Sequence, residues 1–135
     1  MPGTMKFSYD VVNDVVIGLP NWKVESKEDV MEWTRQWDVY MGRFNKKMDV
    51  VVVLDNFEVA TSVGPLWGEA RAQVHQKYIR HNFRVHSNAR VRLFVNTSGV
   101  RYDVSTLEAA SIEDAIEGIK EARRLEGLKA SKSQP

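Results

Sequence analysis

Residues 49–55 read Asp-Val-Val-Val-Val-Leu-Asp, a nearly unbroken apolar run. A strand without polar alternation must be covered on both faces, which is typical of a central strand with parallel neighbours. Residues 61–65, Thr-Ser-Val-Gly-Pro, follow shortly afterwards and precede a segment with helical periodicity. Because proline fits the first turn of a helix, this corner is predicted to start one. Together the two stretches predict a buried strand, a corner and a helix in succession.

Length and composition place the chain among ordinary globular proteins. A chain of 135 residues is most simply one domain. We assign residues 1–127 to that domain and residues 128–135 to a polar, flexible C-terminal tail. The formal net charge of +1 gives no overall field that favours nucleic acid or a membrane. The absence of cysteine excludes disulfides and thiolate chemistry, and no apolar run suggests a signal or a membrane span, so we expect a cytoplasmic protein.

The N-terminal part of the chain has the pattern of a β-hairpin. Lys6–Val12 alternates loosely and contains aromatic and β-branched residues, and Val15–Ile17 is β-branched throughout. Asn13–Asp14 supplies two turn-forming residues between these runs. Gly18 and Pro20 are predicted to end or bend the second strand, because proline cannot donate a ladder hydrogen bond.

Three segments have helical periodicity. The first follows a capping box formed by Ser26 and Asp29, and the third follows a second one formed by Ser111 and Asp114. The second helix is predicted from the corner to about Asn82. The predicted buried stripes are Val30, Trp33, Trp37, Met41 and Phe44 in the first helix; Leu66, Ala70, Val74 and Tyr78 in the second; and Ile112, Ala115, Ile116, Ile119 and Ala122 in the third.

Two further segments complete the predicted order of elements. Val91–Val95 is predicted as a strand and Val104–Leu107 as a short one, and Gly127 suits the C-terminal cap of the last helix. The order is therefore ββαβαβ(β)α. This order predicts an α/β domain with a single mixed sheet of four or five strands and about three helices.

This order, together with local features, resembles the STAS domain, including its small SpoIIAA-like members, which are anti-sigma factor antagonists. The family has a valine-rich strand that ends in aspartate, here at Asp55, and then an Asp-Ser-x-Gly loop that opens the next helix. Residues 61–64, Thr-Ser-Val-Gly, stand at that place, with Thr61 where the family has aspartate. The capped, acidic start of the last helix over residues 111–115 also fits. The resemblance spans roughly residues 6–125.

The resemblance implies a non-enzymatic regulatory module that binds a protein partner, either a kinase or an anti-sigma-like regulator. The implied partner region is Asp55–Glu69, and phosphorylation of Ser62 would switch binding. The implied site residues are Ser62, Thr61, Gly64 and Asp55. A phosphate would add about −1.5 to −2 charges beside the free amides of a helix start. An alternative interpretation is that Ser62 or Gly64 only caps the helix. A homodimer is also conceivable, and exposure of Trp22 or Trp67 would indicate one.

A basic stretch suggests a different function. Between Glu69 and Asp103 the chain has no acidic residue. The interval contains seven basic residues and all three histidines: Arg71, Lys77, Arg80, Arg84, Arg90, Arg92, Arg101, His75, His81 and His86. In this alternative the protein is a small binding module for an anionic lipid or nucleotide. The residues assigned to that surface are Lys77, Arg80, Arg84 and Arg92. The competing interpretation is that these residues pair with carboxylates from elsewhere in the chain.

Catalysis, metals and cofactors receive little support from the sequence. Ser62 with a histidine and Asp55 or Glu58 could in principle form a hydrolytic triad, but the Gly-x-Ser-x-Gly elbow is absent. The histidines are six and five residues apart, which does not place two ligands on adjacent helical turns. We therefore expect no enzymatic activity, no bound metal and no cofactor.

Overall fold

The computed structural model describes residues 3–85 and 107–133. Its strands are β1 (Thr4–Asp10), β2 (Val15–Val24), β3 (Met48–Val53), β4 (Phe57–Val59), β5 (Ile79–Val85) and β6 (Leu107–Ala109). Its α-helices are α1 (Lys27–Met41), α2 (Gly64–Tyr78) and α3 (Ile112–Ser133), and a single 3-10 turn covers Thr61–Val63. The strands form one sheet in the order β1-β2-β3-β5-β6, with β4 paired to the end of β2. The predicted α/β class with a single mixed sheet is confirmed.

The valine-rich strand β3 lies in the middle of the sheet. It pairs in parallel with β2 on one side and with β5 on the other. Val50 packs in the apolar cluster under α1 and α2, whereas Val51 packs in a second cluster under α3, and both side chains are fully buried. Burial on both faces explains why the strand has no polar alternation. The predicted central, parallel position of this strand is confirmed.

Helix α1 begins at the predicted capping box. The Ser26 hydroxyl accepts a hydrogen bond from the Asp29 amide at 3.1 Å, and the Asp29 carboxylate accepts one from the Glu25 amide at 2.9 Å. Such a cap contributes about 1 kcal/mol to stability. The predicted stripe of Val30, Trp33, Trp37 and Met41 is buried. On the same helix the Gln36 side chain accepts a hydrogen bond from the Met5 amide of β1 at 3.0 Å.

Helix α3 covers the opposite face of the sheet. Its first turn is capped as predicted, because the Ser111 hydroxyl accepts a hydrogen bond from the Asp114 amide at 3.1 Å. Ala115 and Ile119 are fully buried against the sheet. The helix lies so close to the sheet that a Cβ atom added at Gly118 would overlap the Phe83 ring. The two faces of the sheet therefore have separate apolar cores.

The second strand is longer than the sequence predicts. The sequence predicts that Gly18 and Pro20 end or bend this strand. Strand β2 continues through both residues to Val24, so they do not end it. Its parallel partner β3 faces residues 15–18, and β4 faces residues 22–24. The Trp22 amide donates to the Asn56 carbonyl at 3.0 Å. Because backbone N–H groups two residues apart in a strand point to the same side, the nitrogen of Pro20 faces the same side as the Trp22 amide, in the gap between β3 and β4. Proline therefore removes no ladder hydrogen bond there.

The boundaries after α2 also differ from the prediction. Helix α2 ends at Tyr78, and residues 79–85 form β5, so the prediction of helix to about Asn82 is wrong. The apolar residues Ile79 and Phe83 are four apart, which suits a helix locally, but pairing with β3 draws this segment into the sheet. The short strand β4 was not predicted. The predicted strand Val91–Val95 and residues 104–106 lie outside the described residues, while Leu107 begins β6.

The last helix extends beyond its predicted end. Helix α3 runs through Gly127 to Ser133, so the prediction of Gly127 as its C-terminal cap is wrong. A glycine inside a helix costs about 1 kcal/mol relative to alanine, which the helix formers around it can offset. The boundary drawn between residues 127 and 128 for a flexible tail remains a prediction. Within the described ranges, no helix has both the length and the apolar character needed to cross a bilayer.

Candidate functional site

The corner that follows β3 is on the surface of the protein. The Leu54 amide donates to the Val85 carbonyl at 2.7 Å, and a turn at residues 55–56 leads into β4. The Ala60 amide then donates to the Val24 carbonyl at 2.8 Å, which fixes the chain just before the 3-10 turn. Thr61 and Ser62 are both exposed. Strand β4 thus anchors the corner to the end of β2 and holds these two hydroxyl groups outside.

The corner starts α2 without using a side chain as its cap. The residue at the N-cap is Val63, with Pro65 in the first turn, and no side-chain hydrogen bond caps the helix. The Val63 amide donates to the Ala60 carbonyl at 3.1 Å, and the Gly64 amide donates to the Thr61 carbonyl. The predicted helix start is confirmed. The interpretation of Ser62 or Gly64 as the capping residue is wrong, because the 3-10 turn shifts the cap to residue 63.

A polar groove of about 420 Å³ lies at the turn that leads into β4. Its walls come from the N-terminal segment, the end of β2 and the turn before β4. The groove residues are Gly3, Asn21, Trp22, Lys23, Glu25, Asp55, Asn56 and Glu58. Three of them are carboxylates and one is a lysine, which lies 4.0 Å from Glu25. We call this the acidic groove; its charge suits a basic partner.

The basic residues that suggested an anion-binding surface are paired with carboxylates where the structure describes them. Lys77 lies 3.8 Å from Asp38, and Arg80 forms an ion pair with Glu126. Arg84 is only 3% exposed and donates to Glu108 at 2.9 Å. Arg92, the fourth member, lies outside the described residues, as do Arg90, Arg101 and His86. The structure therefore does not bring Lys77, Arg80 and Arg84 together as a set of exposed cations.

A buried ionic cluster lies at the opposite end of β3 from the corner. Asp49 is 3% exposed, and its Oδ1 accepts from the His81 amide at 3.1 Å and lies 2.7 Å from His81 Nδ1. Its Oδ2 accepts from Arg123 Nε at 2.7 Å. His81 Nε2 lies 2.8 Å from Glu126 Oε1. We call Asp49, His81, Arg123 and Glu126 the Asp49 cluster.

The position of His81 in the Asp49 cluster argues against a catalytic pair of Ser62 and His81. His81 is bound between Asp49 and Glu126 at the start of β3, whereas Ser62 follows the other end of that strand. The structure therefore does not bring Ser62 and His81 together, as a catalytic serine and its base would require. The sequence patterns do not predict this cluster. Its one signal is an aspartate at the start of an otherwise apolar strand.

A small cavity lies between α1, α2 and the sheet. Its volume is about 50 Å³, and we call it the α1–α2 cavity. The lining residues are Met5, Pro20, Trp33, Trp37, Val52, Leu54, Phe57, Trp67, Arg71, Val74, His75, Ile79, Asn82 and Arg84. Most of this wall is apolar, yet it includes two arginines.

Arg71 reaches the α1–α2 cavity because α2 buries a different face from the one predicted. Trp67, Arg71 and Val74 are buried, whereas Leu66 is 37% exposed, so the predicted stripe beginning at Leu66 is shifted. The Arg71 guanidinium lies 5.6 Å from the centre of the Trp67 ring. Burial, followed by the nearby charge of Arg84, lowers the pKa of Arg71 to about 10.

The two tryptophans considered as markers of a dimer are inside the protein. Trp22 is 4% exposed and Trp67 is 3% exposed. Trp67 packs against Trp33 and Phe57, with ring centres 5.8 and 5.6 Å apart. These tryptophans therefore give no indication of a homodimer, which remains a prediction.

The architecture is that of a SpoIIAA-like α/β fold. In a comparison with solved structures, the chain is similar to an uncharacterized protein of the DUF3478 family from Shewanella loihica PV-4, described as having a SpoIIAA-like fold. The TM-score is 0.61 at 8% sequence identity, over 86% of this chain and 92% of the other. The sequence matches no protein-family model and no curated protein. The predicted fold is confirmed. At 8% sequence identity, the similarity between the two proteins concerns the fold alone.

Proposed function

We propose that this chain is a non-enzymatic regulatory module that binds a protein partner through Asp55–Glu69, and that phosphorylation of Ser62 controls the binding. The observation that carries the proposal is the exposed Ser62 at the corner between the central strand and α2. The same proposal includes a cytoplasmic location, where a partner kinase would act. The fold is compatible with this role but does not define a partner.

The local structure suits modification of Ser62. The residue lies in a single 3-10 turn of three residues, which is short enough to open without unfolding the domain. Its hydroxyl does not cap α2, so phosphorylation removes no capping hydrogen bond. The first turn of α2 contains no acidic residue, and its N-terminus favours a negative charge. A phosphate at Ser62 is therefore tolerated by the folded domain.

The surroundings of Ser62 indicate how a phosphate would act on a partner. The acidic groove attracts a basic surface, and a partner that binds through Asp55–Glu69 would also cover the exposed Ser62. A phosphate there carries about −1.5 to −2 charges and must lose water when the interface closes. We expect phosphorylation to weaken the complex through this desolvation cost.

The test is partner capture from native lysate with three variants. Wild type and Ser62→Ala are expected to retain a stoichiometric partner, whereas Ser62→Asp is expected to retain at least about tenfold less, equivalent to roughly 1.4 kcal/mol. Ser8→Asp is the matched control, because Ser8 is exposed on β1, away from the corner. Equal capture by Ser62→Asp and wild type, with unmodified Ser62 by mass spectrometry under every growth condition, would contradict the proposal.

The alternative module, which binds an anionic lipid or nucleotide through the basic stretch at residues 71–101, has weaker support. Lys77, Arg80 and Arg84 already have carboxylate partners. Retention on heparin or anionic vesicles at low ionic strength would favour it, because binding by exposed cations depends strongly on salt.

A further inference from the structure

Two buried guanidinium groups border the α1–α2 cavity from different elements. Arg71 of α2 is 7% exposed, and Arg84 of β5 is 3% exposed. Glu108, directly opposite Arg84 in the sheet, accepts a hydrogen bond from its Nη2 at 2.9 Å. Each guanidinium has five N–H donors, so both can serve a ligand in addition to the partners that they already have. Both arginines line the same cavity, and after burial the charge of Arg84 is the second cause that lowers the pKa of Arg71.

The indole of Trp37 contributes a further donor to the cavity wall. Trp37 is 2% exposed, and among the residues that the structure describes its Nε1 has no hydrogen-bond partner. The Oδ1 of Asn82 is likewise buried without a partner in the described parts of the chain, and a half-turn of this amide would present its Nδ2 donors instead. Buried polar groups are normally satisfied. The cavity thus offers several donors to a ligand that has acceptors.

Size and lining restrict the ligand further. A single water molecule occupies about 10–15 Å³ of such a cavity volume. A cavity of about 50 Å³ therefore has room for roughly three or four heavy atoms. The rest of the wall is largely apolar, including Val52, Leu54 and Phe57. An apolar wall suits a carbon substituent, while a guanidinium fork suits the two oxygens of a carboxylate.

From these observations we infer that the α1–α2 cavity binds a short monocarboxylate of formate or acetate size. Arg71 and Arg84 hold the carboxylate, Trp37 Nε1 supplies a further donor, and the apolar wall contacts the carbon end. The two arginines of this site lie outside the proposed partner region Asp55–Glu69, although Phe57 and Trp67 of that region contribute to the cavity wall. It also differs from the predicted surface of exposed basic residues, since its two arginines are buried.

The test uses the full chain and sodium acetate at constant ionic strength. Trp33, Trp37 and Trp67 line the cavity, so tryptophan fluorescence and the thermal unfolding midpoint both report occupancy. We expect a saturable response to acetate with a Kd on the order of 1 mM, because a ligand of so few atoms makes few contacts. Acetamide, which has the same shape without the charge, is expected to give no saturable response.

Variants separate this site from non-specific anion effects. Arg71→Gln is expected to weaken acetate binding at least about tenfold, and Trp37→Phe to weaken it to a smaller extent. Lys77→Gln removes an exposed cation from the same helix and is expected to leave the Kd within about twofold. Val52→Leu leaves both arginines in place and fills the cavity, so it is expected to abolish binding even if Arg71→Gln does not fold.

Four results would overturn the inference. The first is no saturable response of the wild type to acetate or formate up to about 50 mM, well above the expected affinity. The second is an equal response to acetamide. The third is unchanged acetate binding by both Arg71→Gln and Val52→Leu. The fourth is displacement of acetate by lower concentrations of inorganic phosphate, which would assign the cavity to a tetrahedral anion instead.

Discussion

The Asp49 cluster and the arginines of the α1–α2 cavity are both buried charges against the same sheet, but they differ in the signs of charge that they bring together: the cluster combines carboxylates with Arg123, whereas two arginines, Arg71 and Arg84, line the cavity. Both carboxylate oxygens of Asp49 accept hydrogen bonds, and Arg123 also donates to the Asn13 and Asp14 carbonyls at 2.9 Å. This cluster therefore fixes α3 to the β1–β2 turn. At the cavity, burial and then the charge of Arg84 lower the pKa of Arg71, and the Nε1 donor of Trp37 has no acceptor among the described residues. The first region stabilises the fold, whereas at the second an anionic ligand would offset the repulsion between Arg71 and Arg84.

The largest expected effect comes from breaking the Asp49 cluster. Asp49→Ala leaves Arg123 and His81 without their central acceptor, and removal of one member of a buried ionic cluster typically costs about 3–5 kcal/mol. Urea unfolding at pH 7 measures the loss. Glu117→Ala is the control, because the Glu117 side chain is 72% exposed and is expected to change stability by less than about 0.5 kcal/mol. A loss below about 1 kcal/mol for Asp49→Ala would mean that the cluster does not stabilise the fold.

The second prediction has the opposite sign and concerns Arg71. A pKa lowered to about 10 means that the folded state holds the guanidinium proton less tightly than the unfolded state does. The charge on Arg71 therefore lowers the free energy of unfolding at every pH below about 10. This destabilisation diminishes as the pH rises through that pKa and the guanidinium loses its proton. Arg71→Met keeps much of the volume without the charge, so we expect stability to rise by about 1–3 kcal/mol at pH 7.

Arg123→Met is the matched comparison for Arg71→Met. Arg123 has a carboxylate and two carbonyl acceptors, so its replacement is expected to lower the free energy of unfolding by about 3 kcal/mol. Thermal and urea unfolding of both variants in acetate-free buffer measure the difference. If both substitutions destabilise the protein equally, the contrast between the two regions does not exist.

The smallest expected effect is at the rim of the Asp49 cluster. The ion pair with Arg80, and then the charge of His81, lowers the pKa of Glu126. A lowered carboxyl pKa contributes stability above the unfolded-state pKa, and that contribution disappears as the pH falls through the folded-state pKa. Because the Glu126 side chain is 46% exposed, we expect Glu126→Gln to cost at most about 1 kcal/mol at pH 7.

Unfolding at two pH values tests the Glu126 prediction. The difference between wild type and Glu126→Gln is expected to shrink towards zero as the pH falls through the lowered pKa of Glu126, because the carboxylate is then protonated in both the folded and the unfolded state. Added salt at pH 7 should reduce the difference as well, since the pair is accessible to solvent. If the difference in the free energy of unfolding persists at low pH and high salt, the substitution acts through packing and not through charge.

Local signals predicted those parts of the fold that local physics decides. The hydroxyl groups of Ser26 and Ser111 each accept a hydrogen bond from an amide only three residues further along the chain. The apolar run of β3 follows directly from burial on both faces of the sheet. Pairing between distant segments decides the rest. The residues of β5 could continue a helix or form a strand, and contact with β3 selects the strand. Pro20 is tolerated inside β2 only because the adjacent strand pairing is interrupted there.

The candidate sites were predictable to different degrees. The corner at Ser62 was predictable because its strand, turn and helix are consecutive in the chain. The Asp49 cluster brings together residues from β3, β5 and α3, and its Asp49–Arg123 contact spans 74 positions of sequence. Arg71 could be counted as a positive charge from the sequence, but its burial depends on which face of α2 packs against the sheet. Counting charges therefore suggested an exposed basic surface, whereas the structure pairs or buries the residues that it describes.

The hydrogen bond from the Met5 amide to Gln36 has a consequence for how molecules of this protein behave in concentrated solution. Among the described strands, β1 has a neighbour on one side only, so its other side could template the addition of a strand from a second molecule. The Gln36 side chain occupies one of the backbone donors that such an addition would need. An amide side chain on α1 thereby reduces the tendency of β1 to nucleate aggregation.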